Sequence, residues 1–410
     1  MPVKVLITNG CGSLEGDVNM MMMLLATSPA DLFEFYAASV PRGRVYEKLC
    51  AMNNVEVLPL EFGGQEAQKK SQGRVRRCLT TARAVPRLAR LIRRHQIDVV
   101  YTIDRTVATY VGLMAARLTG RPFVLASVYP SYPQGSRMNR LVLKWADRIH
   151  IHSEFLRPWI EPCVPDPSRI KTIMLGIPIE RYDSTQDGKA ARKHLGIPDN
   201  APMVVLAGRL SPFKGHEDLL DAAKIVLLRR PDTYFVLVGH DTQEAIYTHG
   251  PSATSYKKIL EEKIAALDLG QRVQLAGYVP DLTAVIAAAT VSTMPSHEEP
   301  FGLVALEGMA MAKPVVACRS GGVPEFVIDG EVGLLVAPHD PPGLAEALLK
   351  VIENPELARN LGLNGRRRVE RFHSAQQYST AVSETILSAL PLGKQSLVKI
   401  NAFAKGRSDE

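Results

Sequence analysis

The sequence predicts an α/β protein built from two doubly wound, mostly parallel sheets. Its 410 residues exceed what one ordinary hydrophobic core accommodates, so two domains are expected. Each half of the chain alternates short β-branched or aromatic runs with longer helical patterns, which is the order that a parallel sheet with crossover helices requires. A polar segment, 184–200, separates the two halves and is the predicted linker.

The predicted strands are short runs that are mostly bounded by Gly, Pro or charged residues. In the first half they are Val3–Thr8, Phe33–Ser39, Val55–Leu60, Val99–Ile103, Phe123–Val128 and Ile149–His152. In the second half they are Met203–Gly208, Tyr234–Val238, Val273–Ala276, Val291–Met294, Val315–Cys318 and Leu334–Val336. Because open parallel sheets bind ligands at the carboxyl ends of their strands, we expect the loops after these strands to line a cleft between the halves.

Composition narrows the class of protein. A content of 46% hydrophobic and 22% charged residues is typical of a soluble globular protein. No run approaches the ~20 apolar residues that a membrane span needs. The five cysteines are scattered and lack C-x-x-C spacing, which favours a reducing compartment over a disulfide framework or a zinc site. We therefore expect a cytoplasmic protein.

The net charge of +7 is concentrated in segment 69–94, which contains many Lys and Arg residues and no acid. Apolar residues recur within it at helical spacing from Arg74 onwards, at Val75, Leu79, Ala82, Val85, Leu88, Leu91 and Ile92. This pattern predicts a basic amphipathic helix over 74–94. It is either a solvated helix face or a surface that docks on anionic lipid at the inner membrane face. Nucleic acid is not expected, because no recognition motif accompanies the charge.

Two carboxylates, Glu299 and Glu307, lie eight positions apart in the sequence HEEPFGLVALE. Glu299 is predicted to lie on a loop, and Glu307 in the second turn of a helix over Leu303–Ala312. The N–H groups at this helix start, from Gly302 onwards, bind anions through unpaired donors and the positive end of the helix dipole. A carboxylate on each side of an anion site suits a ligand with hydroxyls at both ends and phosphate in the middle, such as a nucleotide-sugar.

A second loop, within VVLAGRLSPFKG at Val204–Gly215, carries two cations after a predicted strand. Fixed cations beside a departing diphosphate stabilise the transition state more than the ground state. Arg209 supplies a planar fork and Lys214 a point charge, so the two are not redundant. Alone they would be ordinary exposed cations, and the downstream carboxylates are what favour a site.

Together these motifs resemble the retaining glycosyltransferases of family 4, whose signature is E-x7-E. The likeness covers most of residues 200–340 and includes LAGYV at 275–279 and SGGVPE at 320–325. It implies two Rossmann-like domains in the GT-B arrangement. The acceptor domain would span 1–183 and be completed by a crossover helix at about 374–390. The donor domain would span 201–373, and the polar segment 394–410 would be a mobile tail.

The resemblance also implies roles for individual residues. Arg209, Lys214 and Glu299 are expected to be catalytic, with the cations on the diphosphate and Glu299 on the donor sugar, while Glu307 binds the ribose. Other donor-binding residues are expected to be Gly208, Gly277, Tyr278, Phe301, Gly302 and Leu303. The departing phosphate oxygen would take the acceptor proton. The chain contains no D-x-D motif, so neither a metal nor another cofactor is expected.

The amino-terminal loop GCGSLEG, which contains Gly10, Gly12 and Ser13, has two interpretations. As G-x-G-x-x-x-G after a strand, it resembles a dinucleotide fingerprint, with Arg42 placed for an NADP phosphate. Family members also have a Gly-rich loop at this position, where it meets the donor phosphates and the acceptor. The first interpretation would make the protein an NADP-dependent oxidoreductase.

The acceptor side departs from the family pattern. Asp104 and Tyr129 are the candidate residues there, and Tyr129 stands where the family often has a His. The usual Asn-Gly-Val-Asp stretch reads LGIP at 175–178. The predicted function is metal-independent transfer of a hexosyl group from a nucleotide-diphosphate sugar to a hydroxyl, with a lipid-linked acceptor as one hypothesis. A sugar phosphorylase or sugar-phosphate glycosyltransferase of the same fold is the alternative within this fold.

Overall fold

The computed structural model describes residues 2–10, 16–62, 74–103, 107–127, 137–240, 255–279 and 281–395. The chain forms two compact units, one made of Met1–Leu175 and Ala375–Glu410 and the other of Gly176–Ser374. The division at Leu175 lies earlier in the chain than the predicted domain end at residue 183. The predicted linker, 184–200, belongs to the second unit and contains a helix.

The first unit is built on a seven-stranded parallel sheet in the order β3-β2-β1-β4-β5-β6-β7. Its strands are β1 (Val3–Asn9), β2 (Phe33–Ser39), β3 (Val55–Pro59), β4 (Val99–Thr102), β5 (Phe123–Ser127), β6 (Arg148–Ile151) and β7 (Ile170–Thr172). The direction of the strand order reverses between β1 and β4. Strand β7 is not predicted by the sequence, because its three residues include only one buried side chain, that of Ile170.

Helices cover the sheet of the first unit. They are α1 (Gly16–Thr27), α2 (Gly43–Cys50), α3 (Arg74–Arg94), α4 (Val107–Thr119), α5 (Arg137–Trp145), α6 (Arg157–Ile160) and the C-terminal α15 (Ala375–Ser388). Helix α15 packs against α1, where the Thr27 and Ser379 hydroxyls are 2.5 Å apart. It also accepts hydrogen bonds from the Arg148 guanidinium at the Ser388 hydroxyl and carbonyl, both at 3.0 Å.

The second unit repeats the scheme with a six-stranded parallel sheet in the order β10-β9-β8-β11-β12-β13. Its strands are β8 (Met203–Ala207), β9 (Tyr234–Val238), β10 (Val273–Gly277), β11 (Val291–Met294), β12 (Val315–Cys318) and β13 (Leu334–Val336). Alternate residues of β8 enter different cores, Val204 and Leu206 on one face and Met203 and Val205 on the other. Both faces of the sheet are therefore buried, and the predicted fold class of two doubly wound parallel sheets is confirmed.

The helices of the second unit begin inside the predicted linker. They are α7 (Lys189–Leu195), α8 (His216–Arg229), α9 (Tyr256–Ala266), α10 (Leu282–Ala288), α11 (Leu303–Ala310), α12 (Val323–Phe326), α13 (Pro341–Ile352) and α14 (Pro355–Phe372). Helix α11 ends at Ala310, slightly before the predicted end at Ala312. Ala312 has a φ of 52°, which a right-handed helix cannot contain.

The predicted basic helix is present as α3. Its inward face places Ala84, Leu88 and Ile92 in the core of the first unit, while Arg83 and Arg87 are exposed. Two residues predicted for the apolar stripe, Leu79 and Ala82, are exposed instead, so the stripe buries less of the helix than its spacing suggests. Within the described ranges, no helix is both long enough and apolar enough to traverse a bilayer.

Arg192 ties the segment of the predicted linker to the second unit. Its guanidinium is buried and donates to three carbonyl oxygens, those of Pro198 at 2.9 Å, Ala201 at 2.8 Å and Ala288 at 2.7 Å. Burial lowers the pKa of Arg192, and five N–H donors in a rigid fork make arginine suited to such multiple contacts. The hydrogen bonds explain why a polar sequence is ordered here.

We predict that Arg192→Met destabilises the second unit by about 3 kcal/mol, because three carbonyl oxygens lose their donor at once. Urea unfolding of the wild type and the variant measures the loss. Lys193→Met removes an exposed neighbouring cation on the same helix and should leave stability within about 0.5 kcal/mol of the wild type. Equal stability of the two variants would show that Arg192 does not hold this segment in place.

Candidate functional site

The candidate site lies where the strand order of the second sheet reverses. Strands β8 and β11 are neighbours there, with Val204 opposite Val291 and Leu206 opposite Thr293. Ligands of doubly wound sheets bind at such a reversal, beyond the carboxyl ends of the strands. The chain after β8 contains Lys214, and the chain after β11 leads to Glu299.

Lys214 and Glu299 form an ion pair, with Lys214 Nζ 2.5 Å from Glu299 Oε2. The Glu299 side chain is 11% exposed and that of Lys214 is 26% exposed, so the pair is enclosed but reachable from solvent. An ammonium carries three N–H donors, and Lys214 can therefore hold Glu299 and also donate to an anionic ligand. The structure thus brings together two of the three residues predicted to be catalytic.

The backbone on each side of this pair is fixed by close packing. Gly215 follows Lys214 with a φ of 69°, and a Cβ at this position would collide with the Pro295 carbonyl oxygen at the end of β11. The His297 N–H donates to the Phe213 carbonyl at 2.8 Å. These contacts hold the two loops against each other, so the positions of the ammonium and the carboxylate are set by the sheet.

Residues 320–322 hold the Glu299 loop from the other side. The Ser320 hydroxyl donates to the Ser296 carbonyl at 2.7 Å, and the Gly322 N–H donates to the Glu299 carbonyl at 3.0 Å. In the sequence, these residues are recognised only as part of a family-like SGG pattern. The structure shows that they position the carboxylate loop.

Helix α11 begins directly beside this loop. Gly302 precedes it with a φ of 111°, and a Cβ here would lie 2.7 Å from Met294 Cε, which restricts the position to glycine. The Ala305 N–H makes the first bond of the helix, to the Gly302 carbonyl at 3.1 Å. The N–H groups of Leu303 and Val304 therefore precede the intrahelical bonds, and this end of the helix attracts anions.

Glu307 lies one turn further along α11 and is half-buried. It accepts a hydrogen bond from the Tyr182 hydroxyl at 2.9 Å. Burial raises the pKa of Glu307, while the Tyr182 hydrogen bond and the charge of Arg181 oppose the rise. Burial and the neighbouring Glu307 carboxylate also raise the pKa of Tyr182. Tyr182 is thus a protonated donor to Glu307.

The sequence does not reveal Tyr182 as a site residue and assigns it to the acceptor domain. In the structure it belongs to the second unit. The Arg366 guanidinium of α14 donates to the Tyr182 carbonyl at 2.5 Å and to the Ala310 carbonyl at 2.6 Å. The contact between Tyr182 and Glu307 links residues 125 positions apart, and no local sequence signal encodes it.

Other predicted donor-binding residues lie at the same edge of the sheet. Gly208 and Arg209 follow β8 and are partly exposed, and Gly277 ends β10. The Tyr278 side chain is 62% exposed and meets the His240 ring edge-on, with the centroids 5.7 Å apart. These positions follow neighbouring strands and are compatible with contacts to one extended ligand.

The side chain of Phe301, a predicted donor-binding residue, is buried. Its side chain is 3% exposed and stacks on Phe326, with the ring centroids 4.7 Å apart. The ring therefore belongs to the hydrophobic interior behind the loop. Only the backbone of Phe301 can contact a ligand.

The amino-terminal candidates are only partly described. Gly10 is buried just after β1. Gly12, Ser13, Asp104 and Tyr129 lie outside the described residues. Their predicted roles on the donor phosphates and on the acceptor side remain predictions.

Comparison with known proteins identifies a family model that matches part of the chain and relatives that match about half of it. Residues 187–368 match the family model described as Glycosyl transferases group 1. D-inositol 3-phosphate glycosyltransferase of Corynebacterium efficiens is 36% identical over 232 residues, which are 55% of this chain and 51% of that protein. The chain thus spans about half the length of the curated relatives it matches.

Solved structures share the fold over nearly the whole chain. The structure of Anabaena Alr3699/HepE in complex with UDP-glucose has a TM-score of 0.78 at 24% identity and covers 94% of this chain and 99% of that chain. A glycosyltransferase from Rickettsia africae ESF-5 has a TM-score of 0.79 at 19% identity, with coverages of 95% and 98%. At these identities the likeness establishes the fold alone, which is an α/β fold with two parallel sheets.

We predict a pH dependence of stability from Glu307. The pKa of Glu307 is raised in the folded chain. At pH values above the unfolded carboxyl pKa of about 4.3 and up to the raised pKa, the folded chain therefore binds more protons than the unfolded chain. The contribution of Glu307 to the free energy of unfolding falls as the pH rises through this range. Glu307→Gln removes the charge and keeps an oxygen that accepts from Tyr182. The Tm of Glu307→Gln minus that of the wild type should therefore increase between pH 4.5 and pH 8.

Thermal unfolding at several pH values measures this difference. Glu346→Gln, at an exposed position of α13, is the matched control and should show no such trend. If the Tm difference between Glu307→Gln and the wild type stays constant with pH, the pKa of Glu307 is not raised by burial.

Proposed function

We propose that this chain, whose residues 187–368 match the model of the glycosyl transferases group 1 family, transfers a hexosyl group from a nucleotide-diphosphate sugar to a hydroxyl acceptor. The observation that carries the proposal is the Lys214–Glu299 ion pair beside the start of α11, at the strand reversal of the second sheet. It combines a cation for a diphosphate, a carboxylate for a sugar and N–H donors for phosphate oxygens. The match to this family favours transfer over NADP-dependent oxidation.

The nucleotide-sugar donor has one orientation in this proposal. The diphosphate meets Lys214, Arg209 and the N–H groups at the start of α11. The ribose meets Glu307, whose Oε1 accepts from Tyr182. A carboxylate has about four lone-pair sites, so Glu307 can also accept from two vicinal hydroxyls. The sugar then lies at Glu299, on the opposite side of the diphosphate from the ribose.

The transfer step breaks the bond between the anomeric carbon and the diphosphate oxygen, whose electron pair stays on the departing diphosphate. The acceptor oxygen forms the new bond on the same face of the sugar, and its proton passes to the departing phosphate oxygen. Lys214 and Arg209 stabilise the negative charge that grows on this oxygen. These cations and the helix N–H groups supply the positive charge that a metal provides elsewhere, so we propose that the reaction needs no metal.

UDP-glucose is the first donor to test, because the related Anabaena structure contains it. Among soluble acceptors, a cyclitol phosphate is the first to test, because the relative from Corynebacterium efficiens is named for inositol 3-phosphate. A phosphorylase of the same fold remains the alternative. A phosphorylase would convert a glycoside and inorganic phosphate into a sugar phosphate and the free alcohol. Analysis of the products therefore distinguishes the two reactions.

We predict that Lys214→Ala and Glu299→Gln lower kcat about 100-fold or more and change nucleotide affinity less, since both contacts strengthen as charge develops. Glu307→Ala should mainly raise the KM for the donor, because the ribose does not react. Steady-state kinetics with the donor varied measures both effects. Lys224→Ala, an exposed lysine on α8, is the matched control and should retain wild-type kinetics.

Two results would contradict this assignment. Full turnover by Lys214→Ala would remove Lys214 from the chemistry. Activity that is lost in EDTA and restored by Mg²⁺ or Mn²⁺ would refute a metal-independent reaction.

The first unit has a surface that suits anionic lipid. Arg83, Arg87 and Arg90 of α3 are exposed, and α3 packs against α4, which packs against α5. The exposed large apolar side chains of α4 and α5 are Met114, Leu118, Met138 and Trp145. Cations attract anionic headgroups, and apolar side chains can enter the headgroup region. We propose that this surface rests on a membrane and that the acceptor is lipid-linked.

We predict that the chain sediments with anionic liposomes at low salt and is released near 1 M salt, where the Debye length falls to about 3 Å. The triple variant Arg83→Glu, Arg87→Glu, Arg90→Glu should lose this binding, because each Lys or Arg near the surface contributes about 1 kcal/mol. The triple variant Lys193→Glu, Arg359→Glu, Arg367→Glu makes the same change in net charge at exposed positions of the second unit. It should still bind.

Equal loss of binding in the two triple variants would mean that net charge, and not this surface, drives the association. If the wild-type chain does not sediment with anionic liposomes at low salt, the proposed lipid contact is wrong and a soluble acceptor is favoured.

A further inference from the structure

We propose that Asp218, His297 and His339 form a binding site for a divalent transition metal, with Zn²⁺ as the best-suited ion. Among the described residues, these three offer ligand atoms that all lie within 4.8 Å of one another. They come from three separate segments of the second unit: the first turn of α8, the loop after β11 and the turn between β13 and α13.

The distances are close to those of a metal site. His297 Nε2 lies 2.8 Å from Asp218 Oδ2. Two ligands bound to tetrahedral zinc at about 2.05 Å are about 3.3 Å apart. A ligand pair at the 4.8 Å limit would thus need to approach by about 1.5 Å at most, which rotation of surface side chains can supply. The cluster is nearly assembled before any ion binds.

The ligand types select the ion. Two imidazoles and one carboxylate are the three protein ligands in one class of zinc site, and water fills the fourth position. Imidazole suits Zn²⁺ as well as copper, iron and nickel ions, whereas Mg²⁺ prefers oxygen ligands and retains its waters. The side chains of Asp218 and His297 are 16% and 17% exposed, while His339 is exposed, so an ion can reach the cluster from solvent.

The two imidazole rings are unusually close. The ring centroids of His297 and His339 are 3.6 Å apart at an interplanar angle of 41°, whereas aromatic pairs prefer roughly 4.5–7 Å. The adjacent carboxylate of Asp340 is engaged elsewhere, since it caps α13 by accepting from the Gly343 N–H at 2.9 Å. Coordination of one ion by both rings would widen this spacing to about 5 Å, because each ring centroid would lie about 3.2 Å from a tetrahedral ion.

His339 occupies a left-handed backbone conformation, with a φ of 58°. Glycine adopts this conformation without strain. The backbone therefore does not require histidine here, and His339→Gly removes a ligand without disturbing the turn. From the sequence no metal is expected, because D-x-D and C-x-x-C motifs are absent. The three ligands are too far apart in the chain for their spacing to show a site.

The site is placed to brace the proposed catalytic pair. Asp218 follows Lys214 in the chain by four residues, and His297 precedes Glu299 by two. A metal joining Asp218 to His297 would link the start of α8 to the loop that positions Glu299. This bracing role rests on the proposed function, but binding of the metal does not.

Titration of the chelator-treated, metal-free chain with Co²⁺, followed by visible absorption, tests the site. We expect one Co²⁺ per chain with the spectrum of a low-coordinate site, displaced by Zn²⁺. His339→Gly should weaken Co²⁺ binding at least tenfold, as should Asp218→Asn. His194→Gln, at an exposed position of α7, is the matched control and should bind as the wild type does. Zn²⁺ should raise the Tm of the wild type and not that of His339→Gly.

A wild-type chain that takes up no Co²⁺ and gains no stability with Zn²⁺ would overturn the site. Uptake that is equally strong in His339→Gly and Asp218→Asn would overturn it too, because the ion would then lie elsewhere. Both readouts are independent of sugar transfer. A chain that transfers a hexosyl group without binding Co²⁺ would refute only the metal site, and one that binds Co²⁺ without transfer would refute only the proposed function.

Discussion

The reversal of strand order between β8 and β11 is the constraint on which the candidate site depends. Consecutive strands extend the sheet outward in both directions from this point, and the segments that follow the two central strands therefore meet at one place beyond the sheet. Lys214 and Glu299 are far apart in the chain, yet they meet here because β8 and β11 are hydrogen-bonded neighbours. Buried apolar residues on both faces of the sheet fix the register of these strands, so the core sets the geometry of the ion pair.

The ion pair in turn explains how an enclosed carboxylate stays available. A carboxylate with little exposure needs a cation or several donors, because desolvation of an unpaired charge is costly. Lys214 supplies that charge, and an anionic ligand that shares the ammonium would weaken its hold on Glu299. Ligand binding and the freedom of the carboxylate to contact a sugar are therefore coupled. Glu307 is stabilised differently, by a hydrogen bond from the neutral Tyr182 hydroxyl. This hydrogen bond does not cancel the effect of burial, so the pKa of Glu307 stays raised.

The sequence predicts the fold well where a single physical pattern dominates. The strand Val291–Met294 is buried at all four positions, and its predicted bounds match the structure residue for residue. Prediction fails where the determinant is a distant contact. Strand β7 is too short for a pattern, Tyr182 meets Glu307 across 125 positions, and Phe301 lies in a site motif while its ring fills the core. The sequence supplies the chemical groups of the candidate site, but tertiary packing decides which of them face a ligand.

The second unit offers two kinds of positive charge, one from protein cations and one from the proposed metal. A diphosphate is bound by hard, directional charge, for which Arg209, Lys214 and the N–H groups of α11 are suited. A magnesium ion in that role would need carboxylate and water oxygens, and a D-x-D motif is absent from the sequence. The cluster of Asp218, His297 and His339 has the softer ligands that select zinc-like ions, and its Asp218 and His297 lie close in sequence to Lys214 and Glu299. In the proposed assignment, protein cations bind the diphosphate and the loops that hold them bind the metal, so the two positive charges would act in one domain without substituting for each other.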